Sequence, residues 1–149
     1  MRLSPHFTLG EMTKSQAALR LGLANDPSAE QIESLIILCT EVLEPVRAEF
    51  ELPVIVNSGY RAEAVNRVIG GKGTSQHCRG QAADIEIPGV DNLIIYQWIH
   101  DADTSFDQLI LEYYIENEPG SGWVHVSYVS RETNRRERLR LNKSGIRRE

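Results

Sequence analysis

The order of hydrophobic patterns along the chain limits the folds that it can adopt. Apolar residues recur at helical spacing after Ser28, at Ile32, Leu35, Ile36, Cys39, Val42, Leu43 and Val46. Ser28 and Gln31 form a capping box, in which each side chain accepts a hydrogen bond from the other residue's backbone N–H. Beyond Pro53 the apolar segments are mostly short and alternating, which is typical of strands. Helices followed mostly by strands predict an α+β fold, with helices on one face of a largely antiparallel sheet.

The same patterns predict the remaining elements. Residues 1–27 are expected to form an extended lead-in and one short helix around Ser15–Leu21 that ends near Gly22. Further helices are predicted over AEAVNRVIG and Asn92–His100, and strands over PVIVNS, AADIEI, FDQLILEYY, WVHVSYV and RERLRL. Cys39 falls on the apolar stripe of the main helix and is expected to be a small buried hydrophobe.

Length and composition favour one globular domain over residues 1–149. No apolar run approaches the ~20 residues of a membrane span, so no membrane insertion is expected. The N-terminus lacks the apolar stretch of a secretory signal peptide, and we expect synthesis in the cytoplasm. With only two cysteines, a disulfide framework is not indicated. The expected state is a monomer.

Charge is concentrated in a basic C-terminal segment, residues 131–149. This segment holds half of the chain's 16 basic residues, although the whole chain has a net charge of -5. It is either a solvated last strand with a frayed terminus or a patch that attracts an anionic polymer. Nucleic acid is not the expected partner, because the rest of the chain is acidic and no recognition helix, zinc finger or aromatic stacking pattern is present.

Two histidines and one carboxylate stand out as candidate metal ligands. His77 lies in a glycine-rich loop, and Asp84 follows seven positions later on a predicted strand. His125 lies in mid-strand, where alternation places it on one face with Trp123 and Ser127. Two imidazoles and a carboxylate can hold a catalytic zinc with water in the fourth position. Spacing alone is a weak signal, because the same residues are also compatible with a loop histidine, a surface aspartate and a strand histidine.

The segment SGYRAEAVNRVIGGKGTSQHCRGQAADIEI, residues 58–87, resembles the signature of the zinc D-Ala-D-Ala carboxypeptidase and L-Ala-D-Glu endopeptidase family. The family pattern is an SGYR-type strand end, then S-x-H-x-x-G-x-A-x-D, then a late histidine. Every fixed position of the middle element is matched, by Ser75, His77, Gly80, Ala82 and Asp84, and WVHVSY resembles the late element. The lead-in is similar to small phage-type members. The resemblance covers roughly residues 3–141 and implies the zinc fold shared with vancomycin-resistance dipeptidases and the Hedgehog signalling domain.

The resemblance also implies roles for individual residues. One zinc per chain would bind to His77, Asp84 and His125. Arg61, at the strand end, would bind a carboxylate or stabilise a developing oxyanion. Ser75 is assigned with Arg61 to substrate binding.

The general base departs from the dipeptidase pattern. Those enzymes carry a glutamate three residues before the last histidine, and Gly122 occupies this position here. In other members the base ends the preceding strand, which places Glu112 at the matching position. Glu116 and Glu118 are rivals in the following loop, although both are expected to be solvated.

The function implied by the resemblance is a zinc peptidase that cuts peptidoglycan stem peptides, as a carboxypeptidase or an endopeptidase. A phage endolysin is one form of it, reaching the cell wall when a holin-type partner opens the membrane. One alternative is a zinc-binding module of the same fold without catalysis. Another is a non-haem iron oxygenase, because two histidines and a carboxylate also form that facial triad.

Overall fold

The computed structural model describes residues 1–149. Its helices are α1 (Leu9–Thr13), α2 (Gln16–Leu21), α3 (Ala29–Leu38), α4 (Glu44–Phe50), α5 (Glu63–Val68) and α6 (Asn92–Asp101). Its strands are β1 (Arg2–Ser4), β2 (Phe7–Thr8), β3 (Ile55–Ser58), β4 (Ala82–Glu86), β5 (Gln108–Glu112), β6 (Trp123–Ser127), β7 (Glu137–Asn142) and β8 (Gly145–Arg148). A π-helical turn, Cys39–Leu43, joins α3 to α4, and a 3₁₀ turn, Gln76–Arg79, precedes β4. None of these helices has the length and apolar character needed to cross a membrane.

Six strands form one mixed sheet in the order β3-β4-β6-β5-β7-β8, and β1 pairs with β2 separately. Four of the five neighbouring pairs in the large sheet are antiparallel, and only β5 and β7 are parallel. The predicted α+β fold with a mostly antiparallel sheet is therefore confirmed.

The two faces of this sheet have different environments. Side chains alternate along each strand. The side chains of one face pack against α3, α4 and α6 in the hydrophobic core. In the sheet they include Val56, Ala83, Ile85, Leu109, Leu111, Val124 and Val126. The alternate set, which includes Asp84, Glu112 and His125, points away from these helices. The polar candidates thus share the face that the helices leave open.

The predicted helix boundaries agree with the structure at two places. Ser28 and Gln31 form both hydrogen bonds of the capping box, and α2 begins after Ser15 and ends at Gly22 in the left-handed region. Cys39 is fully buried, and burial raises the pKa of its thiol to about 12. The thiol is therefore protonated at neutral pH, as expected for a core residue.

The chain termini differ from the predictions. The lead-in contains β1, β2 and α1 in addition to the expected helix. The frayed terminus, part of one of the two alternatives given for the basic segment, is wrong, because Gly145–Arg148 forms β8 and pairs with β7. Glu149 accepts hydrogen bonds from Arg140 at 2.7 Å and Arg147 at 3.1 Å. These short elements depend on partners distant in sequence, which local periodicity does not reveal.

Candidate metal centre

Asp84 and His125 are direct partners on neighbouring strands. In the antiparallel pairing of β4 with β6, Asp84 lies opposite His125, and directly opposed residues share one face of a sheet. The Oδ1 atom of Asp84 lies 2.9 Å from Nδ1 of His125. Val124 and Val126 point into the core on the other face. The alternation predicted for this strand is confirmed.

His77 reaches the same point from the 3₁₀ turn. Its Nε2 atom lies 3.5 Å from Oδ1 of Asp84, and its ring centroid lies 5.1 Å from that of His125. The turn ends at Gly80, which adopts φ 72°, and a Cβ there would lie 2.5 Å from the carbonyl oxygen of Gln31. Only glycine therefore suits this position, where the chain turns into β4.

The three residues fit a metal ion by the chemistry of their donor atoms. One ligand atom from each of His77, Asp84 and His125 lies within 4.8 Å of the others. Nδ1 of His77 donates to the carbonyl oxygen of Gly59 at 2.8 Å, so the lone pair of its Nε2 is free to bind a cation. A carbonyl partner on the second nitrogen is the usual way in which proteins orient a ligating histidine. Two nitrogens and one carboxylate oxygen suit a zinc ion with an open fourth position.

The charges at this centre are strongly coupled. Burial alone would raise the pKa of Asp84, but a hydrogen bond from His125 and the close imidazole of His77 outweigh it and hold that pKa far below its usual range. Burial alone would lower the pKa of His125, but Asp84 reverses this and raises it. The centre therefore keeps a carboxylate charge at neutral pH, which favours a bound cation.

Glu112 opens into the same groove, which has a volume of about 790 Å³ and is also lined by the three candidate ligands. It is the last residue of β5 and lies opposite Trp123 of β6. Burial and the charge of Asp84 raise the pKa of its carboxyl group. The structure thus places Glu112 beside the candidate metal centre, on the strand where it was predicted.

The rival positions for a base lie elsewhere or cannot carry an acid. Gly122 adopts φ 63°, and a Cβ there would lie 2.1 Å from the backbone oxygen of Glu112. Any other residue at 122 would therefore require a different backbone path. Glu116 is 71% exposed and pairs with Arg140 at 3.4 Å, and Glu118 is exposed. Neither of these two glutamates lines the groove.

Arg61 also lines the groove, with its guanidinium partly restrained. Nη1 donates to Oδ1 of Asn66 at 3.0 Å, and Nη2 donates to the Ser58 hydroxyl at 3.3 Å. Because a guanidinium has five N–H donors, three remain for a ligand. The Arg61 backbone N–H donates to the carbonyl oxygen of His77 at 3.1 Å, which ties the two residues together.

Ser75 lines the groove too, but its hydroxyl has a local partner. It accepts a hydrogen bond from the backbone N–H of His77 at 3.3 Å, which caps the 3₁₀ turn. The hydroxyl therefore helps to hold the His77 loop, and its predicted part in substrate binding stays a prediction.

Three residues that support this site, Asn66, Gln76 and Asp107, were missed by the sequence analysis. Asn66 is buried, accepts from Arg61 and donates to the carbonyl oxygen of Lys72 at 2.8 Å. Asp107 is buried and accepts from Gln76 at 2.8 Å. Asn66 follows Val65 on the buried side of α5, and a polar residue at such a position was the signal that the sequence offered. Asp107 and Gln76 meet only through tertiary contacts.

The basic C-terminal segment is largely neutralised by acids of the same chain. Arg135 binds Asp107 through Nε at 3.0 Å and Nη2 at 2.7 Å. Arg131 lies 3.2 Å from Glu41, and Arg148 lies 3.0 Å from Glu137. Arg131 and Arg135 thus attach the segment before β7 to the rest of the fold, and Arg148 joins β8 to β7.

The comparisons with known proteins agree with this geometry. The sequence model of the family described as Peptidase M15 matches residues 5–127, a range that contains all three candidate ligands, Arg61 and Glu112. No curated protein sequence matches the chain. Since the family match spans most of the chain and its candidate metal centre, the protein belongs to the peptidase M15 family.

Proposed function

We propose that the chain is a zinc peptidase that hydrolyses peptide bonds in the stem peptides of bacterial peptidoglycan. The observation that carries the proposal is the convergence of His77, Asp84 and His125 in one groove with Glu112 and Arg61. Family membership supports peptide hydrolysis. The sequence resemblance to D-Ala-D-Ala carboxypeptidases and L-Ala-D-Glu endopeptidases supports the cell-wall substrate.

The roles of the residues follow from their chemistry. A zinc ion bound by the three ligands would polarise the scissile carbonyl and lower the pKa of the attacking water. Glu112 accepts the proton of that water and passes it to the leaving amine, a task that its raised pKa suits. Arg61 offers its free N–H donors to a substrate carboxylate or to the oxygen on which negative charge develops.

The charge of the groove supports an anionic peptide as the substrate. Arg61, Lys72 and Arg79 line it, against the carboxylates of Asp84 and Glu112. A cation at the metal centre would offset Asp84, which leaves the groove positive. Stem peptides of peptidoglycan carry free carboxylates and would be attracted to such a groove.

The test is digestion of purified peptidoglycan by the zinc-loaded protein, followed by mass spectrometry of the released muropeptides. We expect cleavage at one stem-peptide bond, and the products will distinguish a carboxypeptidase from an endopeptidase. His125→Ala serves as the inactive control. A zinc-loaded protein that releases no product from wall of any stem-peptide type would overturn the proposal.

One observation favours a second candidate, a zinc-binding module without catalysis. Gly122 stands where the dipeptidases have their general base. If Glu112 does not act as a base, the protein will bind zinc and wall peptides without cleaving them. Zinc analysis combined with the digestion assay separates the two candidates.

The resemblance to small phage-type members supports a role as an endolysin. In that role the peptidase reaches the wall after a holin-type protein has opened the membrane. Expression together with a holin should lyse the host cells, and expression of the peptidase alone should not. Equal lysis by the His125→Ala variant would contradict this role.

A further inference from the structure

Asn66 is a buried polar residue on α5 to which the proposed mechanism gives no task. Its residue is only 3% exposed, and both polar atoms of its amide are paired. Oδ1 accepts from Nη1 of Arg61 at 3.0 Å, and Nδ2 donates to the carbonyl oxygen of Lys72 at 2.8 Å. Both partners line the groove of the candidate metal centre, whereas Asn66 does not. Asn66 can therefore act on the groove only through these neighbours.

The Arg61 guanidinium is held close to the candidate metal ligands. The register of β3 shifts between Val56 and Ser58, which brings Ser58 opposite Asp84. Asp84 in turn lies opposite His125, so the three residues are neighbours on adjacent strands. The Ser58 hydroxyl accepts from Nη2 of Arg61 at 3.3 Å. The guanidinium is thus anchored at the strand next to the one that carries Asp84.

Two anchors fix the orientation of this guanidinium. Nη1 binds Asn66 and Nη2 binds Ser58, and the contact with Asn66 is the shorter one. A long side chain that is free to rotate loses entropy when it binds a ligand, and a side chain that is already held loses less. A group that acts on a substrate also needs neighbours that lock its rotamer. Asn66 supplies such a neighbour from a position that no ligand in the groove contacts.

The glycine-rich loop before His77 braces Asn66 in turn. The backbone N–H of Gly71 donates to the backbone oxygen of Asn66 at 2.9 Å. Gly71 packs so closely that a Cβ there would lie 2.0 Å from Oδ1 of Asn66, the atom that accepts from Arg61. Any side chain at position 71 must therefore displace this oxygen. The orientation of Arg61 depends in this way on a glycine ten residues later.

We infer that Asn66 is a positioning residue for Arg61, which holds the guanidinium in the orientation that the substrate requires. This inference rests on the proposed peptidase function, in which Arg61 binds a substrate carboxylate or stabilises a developing oxyanion. Asn66 itself touches neither the substrate nor the metal. Its removal should therefore act through Arg61 and leave the zinc content unchanged.

A double-mutant cycle tests this dependence on a stem peptide that the wild type cleaves. Asn66→Ala should lower kcat/KM by about 10–100-fold, because a misplacement of ~1 Å can cost ~100-fold. It should change the same parameter, kcat or KM, as Arg61→Ala does. In the Arg61→Ala background, Asn66→Ala should cost less than about threefold, since the group that it positions is gone. Each variant should contain as much zinc as wild type.

Gly71→Ala reaches the same oxygen by a second route. It should lower kcat/KM as Asn66→Ala does, and its effect should also disappear in the Arg61→Ala background. Gly73→Ala and Asn57→Ala are the matched controls. Nothing lies within 4 Å of a Cβ at Gly73, and Asn57 is an exposed asparagine that does not line the groove. Both should keep the wild-type kcat/KM.

Two results would overturn the positioning role and leave the peptidase function standing. One is an Asn66→Ala variant with wild-type kcat/KM, and the other is a loss of the same size with and without Arg61. If Asn66→Ala does not fold, Gly71→Ala decides by the same comparison. A zinc-loaded wild type that cleaves neither wall nor peptide would instead overturn the peptidase function, and the positioning role with it.

Discussion

The His77 ring is held by a backbone group, because its Nδ1 donates to the carbonyl oxygen of Gly59 at 2.8 Å. Gly59 is itself packed against the backbone of Met12, where a Cβ would lie 2.4 Å from the carbonyl oxygen of Met12. The SGYR segment thus positions a candidate metal ligand in addition to presenting Arg61. Its glycine has a steric role that the sequence alone did not reveal.

Gly59→Ala is therefore expected to weaken metal binding without removing a ligand. The new methyl group must displace the backbone that accepts from His77, and loss of such a partner commonly lowers metal affinity ~10–100-fold. Competition with a chromogenic chelator measures the zinc affinity. Gly73→Ala is the control, because nothing lies within 4 Å of a Cβ there. Equal zinc affinity in the Gly59→Ala variant and wild type would show that this hydrogen bond does not orient His77.

Direct loss of a ligand should have a larger effect. His77→Ala, Asp84→Ala and His125→Ala should each lose the bound zinc, because only one donor atom comes from each residue. Wild type should retain one zinc per chain on purification, and a chelator should abolish its activity. Elemental analysis is the measurement. An active wild-type protein that contains no zinc would contradict this assignment.

Arg61→Ala should lower the rate with zinc still bound. If its guanidinium stabilises charge that develops in the transition state, the loss should be on the order of 10²–10³-fold in kcat. Arg61→Lys should restore little, because an ammonium group cannot reproduce the planar arrangement of donors. Arg67→Ala is the control, since Arg67 is exposed on α5 and does not line the groove. Near-normal turnover of Arg61→Ala would assign Arg61 a structural role alone.

Asp107→Asn should destabilise the fold in a pH-dependent way. The Arg135 guanidinium holds the pKa of the buried Asp107 below its usual range. Because the folded-state pKa is lowered, the carboxylate stabilises the fold fully above the unfolded-state pKa of ~3.9. That contribution is lost as the pH falls through the folded-state pKa. The free energy of unfolding should drop by about 1–3 kcal/mol at pH 7.

Urea denaturation of both proteins at pH 7 and at pH 3 checks this prediction. The difference between wild type and Asp107→Asn should shrink at pH 3, because that pH lies below the unfolded-state pKa of ~3.9, where the lowered folded-state pKa no longer contributes its full stabilisation. Asp101→Asn, at a 75% exposed side chain, should change the free energy of unfolding by less than about 0.5 kcal/mol. A difference that grows on acidification would contradict the ion pair.

The sequence predicted the parts of the site that depend on local patterns. Strand alternation placed His125 on the open face, and the motif around His77 and Asp84 supplied the other two donors. Neither signal identified Asn66 or Asp107, because each finds its partner through the tertiary fold: Asn66 binds a guanidinium that precedes its helix, and Asp107 binds an arginine 28 residues later.

The sheet edge was predicted less completely for a related reason. Alternation in RERLRL predicted β7, but its parallel pairing with β5 joins residues far apart in sequence. The polar sequence after Lys143 gave no signal for β8, whose four residues are all exposed. Only the strand register places Ile146. It pairs with Leu141, which pairs with Glu112, so the three side chains share one face of the sheet.

Glu112→Gln carries the decisive prediction for catalysis. The change keeps the shape of the side chain and removes the proton acceptor. Zinc should therefore stay bound while kcat falls ~10²–10⁴-fold. Glu112 suits the role because it ends a strand of the sheet that carries Asp84 and His125, and rigid elements hold a catalytic group more precisely than loops do. Muropeptide release per bound zinc is the measurement.

The two loop glutamates provide the matched controls for this variant. Glu116 is exposed and paired with Arg140, and neither Glu116 nor Glu118 lines the groove. Glu116→Gln and Glu118→Gln should therefore stay within a few-fold of wild-type activity. An active Glu112→Gln variant together with an inactive Glu116→Gln or Glu118→Gln variant would mean that the 113–122 hairpin folds over the metal when substrate binds. The base would then come from that loop, and the end of β5 would only shape the groove.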